Sequence, residues 1–266
     1  KPFQREEVLA RVRTHLKLRL AYQAVIKEQA HRLKRIQQAQ QDILVDPQHM
    51  PEACFGLYYR PIQEAGGDFY DVFNIYNKAY GYFIADISGH DVGAAFTTAT
   101  LKPLVRQNFN QLNTPEEALR IINKVLCSIL NEGRFLTACY LFLDRMRNEL
   151  TLISAGHPPC LYVGGDGEAD LIELKGDVLG MFENAFFESK TFKLKNGDRI
   201  FLYSDGILEE FQRIFGSKDV AMNAFKKECS ATKGHDVQKA VDIIIEKMAI
   251  SEEKPADDHL LLAVDI

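Results

Sequence analysis

Asp68 and Asp86 are the residues from which chemistry can first be argued. Residues 66–91 read GGDFYDVFNIYNKAYGYFIADISGHD. Two runs rich in Tyr, Phe, Val and Ile, 69–75 and 80–85, have strand composition, and each carries one of these acids at its outer end. Between them, Tyr76-Asn77-Lys78 holds Asn, a good turn residue. A hairpin turning near Asn77 leaves the two acids equally far from the turn and almost opposite each other, with Cβ atoms about 4.5–5.5 Å apart. Carboxylates that close repel, so either one takes up a proton or a cation sits between them. Gly66-Gly67 before the first acid and Ser88-Gly89 after the second let backbone approach whatever is bound. The competing reading makes them ordinary strand-end acids that cap loops, a costly arrangement for two facing acids without a cation.

Further acids stand at strand ends. Tyr203-Ser204-Asp205-Gly206 closes the apolar run 199–203, and Asp257-Asp258 opens the run 259–262. Asp68, Asp86, Asp205 and Asp257, all oxygen donors, could converge on a pair of hard divalent cations, magnesium or manganese in preference to zinc. The five cysteines (54, 127, 139, 160 and 229) have no ligand-like spacing and read as reduced packing residues of a cytoplasmic protein. His90 and His157 each follow a glycine in a loop and could donate a proton to a leaving group, orient an acid or make supporting hydrogen bonds. Asp71 and Asp258 read as supporting or metal-proximal acids. The role of Asp91 stays open.

The elements that must position these acids follow from composition and period. The chain has 266 residues, 46% hydrophobic and 26% charged, which allows one large domain and an appendage. A net charge of −5 makes no electrostatic case for nucleic acid. No apolar run approaches a membrane span, and no signal-peptide pattern opens the chain. Residues 1–50 hold no Gly and have long-helix composition. Tyr22, Ile26, Gln29, Leu33, Ile36, Gln40 and Ile43 keep a 4–3 alternation that predicts a short coiled coil, hence a homodimer, with Gln at two seam positions. Pro47 ends the helix. A strand at 55–61 precedes the hairpin. Residues 93–108 read as a helix interrupted or kinked at Pro103, and 115–131 as a second, capped at Asn113-Thr114. Short strands follow at 138–143, 149–154, 159–163, 170–174, 188–194 and 199–203, with Asn196-Gly197-Asp198 as a hairpin signal. Helices at 217–229 and 236–249 and a last strand at 259–266 complete the chain. Strands and helices in blocks predict an α+β fold with two packed sheets and helices outside.

Taken together, GGDFYD (66–71), ADISGHDVGAA (85–95), SAGHPP (154–159), YSDGILE (203–209) and ADDHLLLAV (256–264) resemble, in that order, the SpoIIE/RsbU branch of the metal-dependent PPM (protein phosphatase 2C-like) Ser/Thr phosphatases. The resemblance covers 51–266. It implies an αββα sandwich of two antiparallel sheets with a two-metal site at one end. Asp68 would ligate or bridge both ions, Asp86 and the Ile87 backbone carbonyl would hold the first, and Asp205 and Asp257 the second. A water acidified by the ions would attack the phosphorus of a phosphoserine or phosphothreonine. The family's substrate is commonly a phosphorylated anti-sigma-factor antagonist, so a bacterial partner-switching role is implied. This sequence departs from the family in having Asp91 where Gly is usual, Leu260 where Thr is usual, and no clear phosphate-binding arginine; Arg60, eight residues before Asp68, could reach but reads more readily as a surface strand arginine. Residues 1–20, opening Lys1-Pro2-Phe3, resemble the last turn and helix of a response-regulator receiver domain, with 21–50 as the helical linker. The phosphatase would then be the output domain of a response regulator. The alternative is a catalytically inactive phosphatase-like adaptor that binds a regulatory protein, which should have lost at least one acid.

Overall fold

The computed structural model describes residues 5–62, 66–89, 92–130, 133–248 and 257–266. A 38-residue helix, α1 (Arg5–Asp42), leads through two short 3-10 turns into β1 (Phe55–Arg60). The hairpin β2 (Asp68–Tyr76) and β3 (Ala79–Ile87) precedes helices α2 (Val92–Asn108) and α3 (Pro115–Ile129). Strands β4 (Leu136–Asp144), β5 (Glu149–Ala155), β6 (Cys160–Val163), β7 (Ala169–Ile172), β8 (Ser189–Lys193) and β9 (Arg199–Tyr203) follow. Helices α4 (Asp205–Phe215), α5 (Lys218–Ala231) and α6 (Val237–Met248) lead to β10 (His259–Asp265).

The strands form two antiparallel five-stranded sheets. One runs β2-β3-β4-β5-β8, the other β1-β10-β9-β6-β7. Because side chains alternate across a strand, each inner strand supplies two cores. In the hairpin, Tyr70, Val72, Tyr82 and Ile84 face the other sheet and meet Leu202, Leu260 and Leu262. Phe69, Phe73, Phe83 and Ala85 face outward and are covered by Leu101 and Val105 of α2 and Leu119 and Ile122 of α3. On the far side, Phe201, Tyr203 and Leu261 lie under Phe211, Phe225 and Ile244 of α4, α5 and α6. Strands buried on both faces read as near-continuous apolar runs, as residues 80–85 do. The predicted αββα layering and the long N-terminal helix are thus observed.

Helix α3 begins as its sequence predicts. Thr114 Oγ1 accepts from the Glu117 N–H at 3.3 Å, Glu117 Oε2 accepts from the Thr114 N–H at 2.9 Å, and Pro115 occupies the first turn. Helix α2 runs on through Pro103 to Asn108.

Three expectations need correction. Asn196-Gly197-Asp198 is a turn, with Gly197 at φ +89°, but not a hairpin: β8 pairs with β5 and β9 with β10 and β6, so the turn carries the chain from one sheet to the other. Residues 205–215 form a helix that the sequence reading left out. The third concerns the seam of α1. Gln40, assigned to it, is 6% exposed and turned into its own domain, and Ile43 lies beyond the helix end. Tyr22 and Ile26 remain on the open surface, 68% and 51% exposed, while the side chains of Gln29, Leu33 and Ile36, like residues 1–4, lie outside the described residues.

Candidate metal centre

The acids gather at one end of the space between the sheets. In the β2–β3 ladder Asp68 pairs directly with Asp86. The turn is Asn77–Lys78, with Lys78 at φ +56°. Tyr76 pairs with Ala79, and an unbroken ladder from there would set Asp68 opposite Ile87. An irregularity between Asn74 and Tyr76 takes up one residue and restores the Asp68–Asp86 pair.

Asp68 is 2% exposed, and its Oδ2 has no hydrogen-bond partner among the described residues. Burial drives its carboxyl well above the ordinary carboxylate range; Asp86, then Asp258 and Asp205, push it further, while the nearby Ser204 hydroxyl opposes them. That hydroxyl is engaged elsewhere: it donates to the Asp258 carbonyl at 3.2 Å and accepts from the Leu260 N–H at 3.0 Å. Asp86 is half-buried.

The other sheet brings Asp205 and Asp257. Asp205 is the first residue of α4, after Ser204 at the N-cap position. Its carboxyl is raised by burial and then by Asp257 and Asp258, against the pull of the backbone N–H groups of Gly206 and Asp205 itself. Asp257 Oδ1 accepts from the Asp258 N–H at 2.7 Å. Asp258 is a clamp: it is 2% exposed and accepts from the N–H groups of Ile62 at 2.6 Å, Gly67 at 2.5 Å and Asp68 at 3.3 Å. It thereby ties the start of β2 to the start of β10.

Two glycines make this closeness possible. A Cβ at Gly67 would stand 2.7 Å from the Ile87 carbonyl oxygen, and one at Gly206 would stand 2.1 Å from the Asp258 carbonyl oxygen. The Ile87 carbonyl, the one backbone ligand implied by the family resemblance, borders the cradle that Gly67 leaves open.

Other candidates separate. Asp71 points to the opposite face of β2, where it is fully buried against α2. Arg106 holds it through Nε–Oδ2 at 2.7 Å and Nη2–Oδ1 at 2.9 Å, and Lys102 Nζ lies 3.8 Å away. It is therefore not metal-proximal: an odd residue spacing from Asp68 puts it on the other side of the strand. His157 is 8% exposed, and burial lowers its pKa to about 3, which removes it as a proton donor at neutral pH. Arg60 is exposed at the end of β1, opposite His259 in the ladder. His90 and Asp91 lie outside the described residues.

Two residues were missed. Glu209 stands one helical turn after Asp205, and its carboxyl is raised by burial, Asp205 and Asp257; the i, i+4 spacing was its signal. Gln40 of α1 pairs with the peptide of Gly66, donating to its carbonyl at 2.9 Å and accepting from its N–H at 3.2 Å. No local pattern signals that contact.

Among the described residues, no three His, Cys, Asp or Glu side chains draw together closely enough to hold a metal ion. The acids nevertheless fit divalent cations in their chemistry: oxygen donors only, a buried carboxylate oxygen without a partner, and glycine cradles at the backbone.

Comparison with known proteins bears on the family and the fold. The family described as Stage II sporulation protein E (SpoIIE) matches residues 77–266. The phosphoserine phosphatase RsbP of Bacillus subtilis (strain 168) is 29% identical over 181 residues, 66% of this chain and 45% of RsbP, so the chain spans under half of that relative's length. The SiaA-PP2C domain of Pseudomonas aeruginosa superposes with a TM-score of 0.77 at 19% identity, covering 91% of this chain and 99% of that one. RsbX, solved in complex with magnesium, superposes at 0.58 with 17% identity, covering 79% of this chain and 92% of RsbX.

Proposed function

This chain belongs to the SpoIIE family, and from that premise we propose that it is a metal-dependent protein serine/threonine phosphatase. One observation carries the reading: a buried aspartate, Asp68, faces Asp86 across a hairpin with Oδ2 unpartnered among the described residues, and Asp205 acts on it from the other sheet with Asp257 beside Asp205. Asp68, Asp86, the Ile87 carbonyl, Asp205 and Asp257 would hold two magnesium or manganese ions. Bound there, the ions supply Lewis acidity, acidifying a water and stabilising the charge that develops on the phosphoryl group. The protein's own part is to keep like charges together. Asp258 fixes the backbone of Gly67 and Asp68, and Ser204 fixes the Asp258 carbonyl. Arg60 is exposed at the end of β1, opposite His259, and a phosphate role for it is an expectation beside that of a surface strand arginine. The four acids are all present, which favours the enzyme over an inactive adaptor.

The finer reading is a cytoplasmic, dimeric output domain of a response regulator that dephosphorylates an anti-sigma-factor antagonist. In its support, α1 runs unbroken from Arg5 to Asp42 and ends with Gln40 bonded to Gly66, two residues before Asp68. A continuous helix can transmit a rotation that a flexible tether would absorb. No helix among the described residues is long and apolar enough to cross a membrane.

The test is manganese-dependent release of phosphate from a phosphoserine peptide. The parent should turn over, and Asp205→Asn, nearly isosteric, should lose activity by about two orders of magnitude or more while unfolding at the parental temperature. No hydrolysis by the parent at millimolar manganese, or near-parental turnover by a folded Asp205→Asn, overturns the proposal.

A further inference from the structure

The two acid pairs belong to different sheets, so their separation is set by how the sheets are held apart at this end. Among the buried residues near the acids are polar ones, Ser154, His157, Ser204 and Asp258. His157 lies in the short connection between β5 and β6, where the chain leaves one sheet for the other. Gly156 before it takes φ +67° and bridges to Ala138, and the His157 N–H donates to Ser154 Oγ at 3.3 Å, so the backbone of the crossing is tied down.

The ring then touches both sheets. Nδ1 lies 2.9 Å from Thr137 Oγ1 on β4, and Nε2 lies 3.1 Å from the Tyr203 carbonyl oxygen on β9. A carbonyl can only accept, so Nε2 carries the proton; Nδ1 is then bare and accepts from the Thr137 hydroxyl. Thr137 is the ladder partner of Asp86, and its side chain is on the same face of the sheet. Tyr203 is two residues before Asp205.

We propose that His157 is a positioning residue, a cross-sheet strut that sets the distance between the Asp68–Asp86 pair and the Asp205–Asp257 pair. The role rests on the metal-site reading given above. An imidazole suits it because one rigid ring offers an acceptor and a donor on opposite sides. Burial keeps the ring neutral across the physiological range, so the strut adds no charge next to the acids and does not switch with pH. Supporting partners of this kind typically change metal affinity about 10–100-fold when removed.

The experiment uses the full chain, with calorimetric titration of manganese and 15N NMR of the histidine rings. The parent ring should show the Nε2–H tautomer and no titration between about pH 5 and 8. His157→Phe fills the slot without either bond and should bind manganese about 10–100-fold more weakly. His157→Gln, whose amide can still donate to the Tyr203 carbonyl, should recover most of that loss. A packing role alone would lower the unfolding temperature of both variants and leave manganese affinity of the folded protein unchanged, which overturns the strut. A ring that titrates near its ordinary value overturns it as well. If His157→Phe does not fold, Thr137→Val removes one bond isosterically and should weaken manganese binding severalfold; parental affinity there overturns the proposal. A parent that binds no manganese at all refutes the metal-site reading itself, an outcome separate from a parent that binds and a variant that binds equally well.

Discussion

A carboxylate that is 2% exposed, faces another acid and leaves Oδ2 unpartnered among the described residues opposes folding for as long as it is ionised. Asp68→Asn keeps the shape and removes the charge. Its metal-free thermal midpoint should therefore rise above the parent's under chelation, while metal-dependent turnover falls by orders of magnitude; a lower midpoint would contradict the burial argument. His157 makes the opposite kind of contribution. Its folded pKa, about 3, is below the ordinary value of about 6.5. A depressed folded value means that the neutral ring favours folding above about pH 6.5 and that this stability is lost as pH falls from there towards 3. The loss can reach about 1.4 kcal/mol per pH unit. Urea unfolding at a series of pH values should show the parent weakening more steeply between pH 6.5 and 4 than His157→Gln does. Parallel curves would show that His157 is not buried neutral.

At the scale of elements, the question is how helix α1 reaches the acids. Gln40 closes a two-bond pair with Gly66, and Lys102 of α2 donates to the Ile43 carbonyl just past the helix end while also lying near Asp71. Gln40→Leu leaves both polar groups of the Gly66 peptide without that partner, a loss of about 1–3 kcal/mol confined to the loop. Turnover should drop several-fold with the midpoint of global unfolding little changed; unchanged turnover would detach α1 from the site. The Asp68–Asp86 pairing could be read from the sequence because each acid ends a strand of a single hairpin, although the symmetry assumed about Asn77 is achieved by a two-residue turn plus one irregular residue. Helix α4 could have been read from Ile207, Leu208, Phe211 and Phe215 at helical spacing, but Gly206 after a strand looked like a turn. Asn196-Gly197 was a turn signal, and a turn does not say which strands it joins. Gln40 was beyond local reading, since a 4–3 period does not name the surface it packs on; a supporting hydrogen-bond role for His157 could be read from its loop, but not that the ring lies between two sheets.

For the molecule as a whole, α1 presents Val8, Val12, Tyr22 and Ile26 to solvent over several turns, although its last turns dock on the domain. That apolar line has no cover within the described residues of one chain, and a second α1 at coiled-coil spacing would cover it. Ile26→Asp should convert a dimer into a monomer by light scattering, with manganese-dependent turnover of the isolated chain retained. A parent that is already monomeric at high concentration would rule out the dimer.

The pairing of β1 with β10 has a consequence for the life of the protein. Phe55 lies opposite Val264, and the clamp that holds Asp68 in place is Asp258. Residues on the order of 200 apart must meet before the second sheet closes, which favours slow folding. On the ribosome the chain emerges N-terminus first, at about 5–20 residues per second. The hairpin bearing Asp68 and Asp86 is therefore exposed well before its counterparts Asp257 and Asp258 have left the exit tunnel. A nascent or prematurely terminated chain holds half a site and should not release phosphate from a phosphoserine peptide, so activity should begin only when translation has run past Asp257 and Asp258.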